Sequence, residues 1–142
     1  MPVAEGDFFY TNFAKGEFQK GNIALLTGTI KIALFGATPD IDADEYFDDL
    51  ASEIVASGYT AGGVTLGTKT VTVDDTNDWA DFDCANPTWA TLATATILAA
   101  VVYVDTGTPA TSTVIGWYTI ATNSNGGPYT LNVPTAGLLR FA

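Results

Sequence analysis

The sequence contains no histidine. That absence removes the Ser-His and Cys-His pairs of most hydrolases, together with every metal site built on imidazole. Ser52, Ser57, Ser112 and Ser124 are left without the usual base, and none of them opens a Ser-x-x-Lys arrangement. They read as turn or surface residues. Cysteine is nearly absent too: Cys84 stands alone, so no intrachain disulfide can form. Its apolar and acidic neighbours should raise the thiol pKa, which makes it a small buried side chain and not a nucleophile. Basic residues are scarce. Five Lys plus Arg face sixteen Asp plus Glu, a formal net charge of -11, which repels phosphate backbones and anionic leaflets alike. Neither nucleic acid nor a membrane surface is an expected partner. Long apolar runs are also missing, because the most hydrophobic stretch, Ala93 to Val104, falls well short of the roughly 20 residues a spanning helix needs. Residues 1 to 7 have no basic region followed by an apolar one, so no secretory signal is expected.

What remains is a strand-forming composition. Hydrophobic residues make up 47% of the 142 positions and charged residues 15%, a balance that suits a packed chain and not a disordered tail. Thr, Val, Ala and Gly dominate, and β-branched side chains fit a pleated, half-buried surface. The expected fold is all-β over one domain, residues 1 to 142: an antiparallel sandwich or jelly-roll-like barrel with a short N-terminal helix.

The helix is expected over residues 7 to 18, where Asp7 offers a cap and Phe9 and Phe13 lie four apart. Thr29 to Phe35 alternates Ile30, Ile32 and Leu34 against Thr29, Lys31 and Ala33, the pattern of a half-buried strand. Residues 36 to 53, rich in Asp and Glu, read as an exposed loop with one helical turn. Val64 to Val73 resumes strand patterning after the Gly58 to Gly63 turn. Ala93 to Val104 is apolar on both alternating faces, with Ile97, Val101 and Tyr103 on one and Leu98, Ala100, Val102 and Val104 on the other, as in a strand covered on both sides. Val114 to Ile120, Tyr129 to Val133 and Leu138 to Phe141 complete the strands, each set off by Gly, Asn, Asp or Pro turns.

Candidate chemistry is thin. Two carboxylates can hydrolyse a glycoside, but one must sit in an apolar pocket that raises its pKa, and these acids cluster in polar segments. Asp40, Asp42 and Asp44 imitate the start of a calcium-binding loop. The imitation fails at the sixth position, Glu45 where Gly is needed, and at the twelfth, Ala51 where Glu is needed. No metal site and no cofactor are expected. Gly62-Gly63 and Gly126-Gly127 lack the Gly-Lys-Ser/Thr of a phosphate loop and read as turn glycines. Trp79, Trp89, Trp117, Tyr103 and Tyr118 could form a carbohydrate-stacking platform, although such residues more commonly fill cores and interfaces. Phe8, Phe9, Phe13 and Phe18 are the candidate partner contacts.

Several strings resemble a known family. Gly58-Tyr59-Thr60-Ala61-Gly62-Gly63-Val64-Thr65-Leu66, then Lys69 to Thr72, then Asn86-Pro87-Thr88-Trp89, then Ala100 to Thr111 follow one another as in a family of small tailed-phage virion proteins. The chain departs from that pattern at Leu98-Ala99, where Arg-Tyr is usual, and in the acidity of residues 40 to 49. The resemblance implies a structural, non-enzymatic particle component located in the virion and assembled in the host cytoplasm. Capsid decoration, or cementing of the head, is the leading expectation. Its partners would be the major capsid protein and further copies of itself, as a trimer. A tail or head-fibre component that contacts host glycans is the alternative, and a carboxylate-dependent glycosidase is the alternative of another class.

Overall fold

A computed structural model describes residues 24–40 and 42–141. The helix expected over residues 7 to 18 lies outside them. Among the described residues the strands are β1 (Ile30–Phe35), β2 (Val64–Thr65), β3 (Thr70–Asp74), β4 (Trp79–Asp83), β5 (Thr88–Trp89), β6 (Thr96–Val104), β7 (Val114–Asn123), β8 (Tyr129–Thr130) and β9 (Leu139–Phe141). They form a four-stranded sheet in the order β2-β1-β6-β7, a three-stranded sheet β3-β4-β9 and a two-stranded sheet β5-β8. Every pairing is antiparallel. The fold is an all-β antiparallel sandwich, and no sheet closes into a barrel among the described residues.

The apolar alternation of β1 and β6 explains the layering. Ile30, Ile32 and Leu34 share a face with Ala100, Val102 and Val104, and β7 adds Ile115 and Tyr118. Phe82 of β4, Leu139 of β9 and Trp89 of β5 close on that face from the smaller sheets. Each fully buried side chain of this size contributes about 1.5–3 kcal/mol of transfer free energy. The main sheet has a second apolar face built from Ala33, Phe35, Ala99, Val101, Tyr103 and Val114. Central strand β6 is therefore covered on both sides, as its two-sided apolar pattern requires.

The cover of that second face corrects one expectation. Residues 36 to 53 hold the expected helical turn, a 3-10 turn at Phe47–Asp49, but they are not simply exposed: Phe47 and Leu50 pack against the second face. Apolar residues interleaved with the acids turn inward, while Asp48 and Asp49 stay exposed. By the same cause β1 is more than half-buried, since Ala33 and Phe35 are as inaccessible as Ile32.

Three other expectations fail locally. The strand expected from Val64 to Val73 breaks in the middle. Its first part, β2, pairs with β1, and its second, β3, pairs with β4 in another sheet. Thr68 between them takes a φ of 50°, and alternation runs through both halves, so periodicity alone cannot reveal the corner. In β6, Ile97 packs with Ala100 and Val102, and not with Val101 and Tyr103. A register shift lies between Ile97 and Ala99, where β7 spends three steps, Thr122 to Thr119, against two in β6. Such a bulge re-aims side chains, and it leaves Leu98 37% exposed. The strand expected over Tyr129 to Val133 is shortened to β8, Tyr129–Thr130.

Candidate functional site

The second face of the main sheet opens at one end into a cavity of about 310 Å³, whose lining includes Lys31, Phe47, Glu53, Gly62, Tyr103 and Asp105. Register puts two of these side by side: Lys31 of β1 lies directly opposite Tyr103 of β6. Asp105 follows the end of β6 and is tied to the residue just before β1 by its backbone N–H, which donates to the Thr29 carbonyl at 2.8 Å. The Lys31 ammonium then reaches the Asp105 carboxylate at 2.7 Å. The Phe47 ring lies 4.3 Å from that of Tyr103, centroid to centroid, and forms the apolar wall.

The polar groups here satisfy one another. Glu53 Oε1 accepts from the Tyr59 hydroxyl at 2.7 Å and from the Gly62 backbone N–H at 2.6 Å. Tyr103 donates its hydroxyl to the Gly62 carbonyl at 2.6 Å, and Tyr59 also accepts from Leu34 N–H at 3.0 Å. Burial, together with the charges of Asp105 and Glu53, pushes the Tyr103 phenol well above its ordinary pKa, and burial does the same to Tyr59. Lys31, hydrogen-bonded to Asp105, and the Gly107 N–H hold the Asp105 carboxyl below the usual carboxylate range. Two carboxylates thus line one cavity, but Asp105 is kept ionised, the opposite of what a glycosidase asks of its general acid. The arrangement braces the Gly58 to Gly63 turn against the main sheet.

That turn accounts for the glycines of the first virion-like string. Gly58 and Gly63 have φ of 86° and 74°, and a Cβ at either would come within 1.9 Å of a carbonyl oxygen, that of Thr91 and that of Ile32 respectively. Only glycine allows both the left-handed backbone and the close approach. The other strings are also scaffold. Asn86 Oδ1 accepts from Val133 N–H at 2.8 Å, the Pro87 carbonyl accepts from Leu131 N–H at 2.9 Å, and Trp89 is buried between Tyr59 and Tyr129 with centroid distances of 6.2 and 5.8 Å. The Trp89 Nε1 has no hydrogen-bond partner among the described residues.

The remaining candidates are dispersed. Phe8, Phe9, Phe13 and Phe18 lie outside the described residues. Carboxylates of the acidic segment serve their own backbone: Asp40 accepts from Asp42 N–H, Asp44 from Asp40 N–H, and Asp49 from Glu45 and Tyr46 N–H. Among the described residues no three potential ligands converge as a metal site would need. Trp89, Tyr103 and Tyr118 are buried, whereas Trp79 is half-buried beneath Arg140 and Trp117 borders the second face. These five aromatics do not form one exposed row. Ser112 and Ser124 are turn and not surface residues, being 1% and 4% exposed. Each staples a turn: Ser112 Oγ donates to the Thr108 carbonyl at 2.9 Å, and Ser124 Oγ donates to the Ala93 carbonyl at 2.6 Å while accepting from Ala95 N–H at 2.8 Å. Cys84 is buried, and desolvation followed by the neighbouring Asp83 charge pushes its thiol up to about 11. Of Lys31, Glu53, Tyr103 and Asp105 the sequence singled out only Tyr103, as an aromatic, and not the grouping, because the four meet only through strand register and loop closure.

No helix among the described residues is long and apolar enough to cross a membrane. Comparison with family models, with curated proteins and with solved structures finds no match to this chain.

Proposed function

We propose that this chain is a non-enzymatic structural subunit of a tailed-phage particle, and that it decorates and cements the capsid. The observation that carries the reading is the nature of the residues behind the virion resemblance. Gly58, Gly63, Asn86, Pro87, Trp89, Tyr103 and Asp105 hold turns, core and sheet ends together, as expected of a module selected for its shape and its contacts. Two further features agree with it. The whole chain lacks histidine, and both carboxylates lining the cavity are engaged, Asp105 with Lys31 and Glu53 with Tyr59 and the Gly62 N–H.

Charge supports the same reading. Lys31 is engaged by Asp105, Arg140 by Asp81 and the Trp79 ring, and Lys69 by the Gly28 carbonyl. These cations are committed within the chain, while Asp42, Asp48, Asp49, Asp75 and Asp78 are exposed. A surface of that kind repels packaged nucleic acid and suits the outside of a DNA-filled shell. Attachment in many copies lets modest contacts hold firmly. The partners would be the major capsid protein and other copies of this chain, gathered as a trimer only on the assembled shell. The test is co-sedimentation of the purified protein with capsids assembled without it. A panel of glycoside and ester substrates gives the complementary check: turnover abolished by Glu53→Gln or Asp105→Asn would move the chain to the glycosidase class.

A further inference from the structure

We infer that β3 is a self-association edge, through which two copies of this chain pair strand to strand about a two-fold axis. Among the described residues β3 has one neighbour, β4, and no described strand pairs with the backbone N–H and C=O groups of its outer edge. Proteins ordinarily guard such an edge with proline, lysine, a bulge or an inward charge. Residues Thr70 to Asp74 include no proline and no basic residue, and the β3-β4 ladder runs through five consecutive pairs without a register shift. The contrast is β7, also with one neighbour, whose ladder is broken by two register shifts and whose Ala121 has a φ of 51°.

Exposed apolar residues point the same way. Val71 and Val73 stand opposite Phe82 and Ala80, and directly paired residues share a face. They belong to the face on which Phe82 and Leu139 enter the core, yet β3 overhangs that core and leaves them 39% and 65% exposed. A second copy completes this face. Continuity of the apolar face across a two-fold junction requires a residue opposite itself, since a shift by one would set valines against threonines. Centring on Thr72 uses the whole strand. It pairs Val71 with the other copy's Val73, and it sets Asp74 against Thr70, so no like charges meet. The Asp74 carboxylate is moreover turned to its own loop, accepting from Thr76 and Asn77.

One strand pair is smaller than the roughly 1,000 Å² expected of a stable interface, so the contact is weak in free solution and gains strength where copies are arrayed. It rests on β3 alone and stands whether or not a phage shell is the partner. Sedimentation equilibrium of the whole chain should give an apparent mass rising toward twice the monomer at submillimolar concentration. Val73→Lys, at an exposed position, should abolish that association over the same concentrations, because a lysine guards an edge, and leave the melting temperature unchanged. Thr72→Cys should form an intermolecular disulfide with oxidised glutathione, because facing Cα atoms in an antiparallel pair lie about 4.5–5.5 Å apart, within disulfide reach. Val55→Cys, 99% exposed elsewhere, should cross-link far more slowly. A chain monomeric at all concentrations, as when another segment or a foreign partner occupies the edge, overturns the inference. So does equal cross-linking of the two cysteine variants, or a Val73→Lys variant that associates like the parent.

Discussion

Cys84 illustrates how environment sets the behaviour of a side chain. Its thiol is buried and pushed up to about 11, first by desolvation and then by Asp83, so thiolate is scarce at neutral pH. The native protein should not react with an aromatic disulfide reagent at pH 8, whereas unfolding should release one titratable thiol; fast native labelling would contradict the burial. Because the folded pKa is raised, this group's contribution is complete below the unfolded value of 9.0 and is lost as pH climbs toward 11. Cys84→Ala should therefore flatten the alkaline limb of the stability curve. Asp105 has the opposite sign. Lys31 and the Gly107 N–H lower its pKa, so its contribution is present above the unfolded value near 3.9 and disappears as pH falls through the lower folded value. Asp105→Asn should cost about 0.5–1 kcal/mol at pH 7, the scale of a partly exposed ion pair, and should flatten the acid limb. Chemical unfolding across pH measures both. The burial of Cys84 was legible from its solitude and its neighbours, whereas the Lys31–Asp105 pair was not, since only the β1-β6 register brings those residues together.

Strand β6 carries the fold at the scale of elements. Val101 is inaccessible on its second face, so Val101→Asp would bury an unpaired charge at about 3–5 kcal/mol, a large share of the roughly 5–15 kcal/mol that holds a domain together. Loss of the cooperative melting transition, or an insoluble product, is the expected result, and a normally melting variant would refute the assignment. Gly63→Ala should cost at least about 2 kcal/mol, combining left-handed strain with collision against the Ile32 carbonyl; thermal unfolding reads it directly. The strands β1, β6 and β7 could be read from alternation and turn residues. The corner at Thr68 and the bulges of β7 could not, because a change of sheet or an added residue leaves hydrophobic periodicity nearly intact. The covering role of Phe47 and Leu50 was likewise hidden by the acids around them, whose charge dominates that stretch of sequence.

For the whole molecule the sequence says more about what is excluded than about what is bound. The lack of histidine and the net charge of -11 restrict catalysis and phosphate binding on chemical grounds alone. The sandwich then accounts for the virion-like strings as scaffold. A partner surface is written in no motif, because adhesion between flat surfaces needs only shape and apolar area at positions that sequence patterning assigns equally to core or interface. Asp40, Asp42, Asp48, Asp49, Asp75 and Asp78 are exposed and the cations Lys31, Lys69 and Arg140 are internally engaged, so attachment should depend on apolar and backbone contacts. Hydrophobic burial is largely indifferent to added salt, whereas exposed charge pairs weaken steeply. The most direct measurement is sedimentation of the purified protein with capsids assembled without it, across a salt series. The account predicts co-sedimentation that persists from low to high salt. Failure to sediment with capsids at any salt, with binding to isolated tails instead, would contradict it.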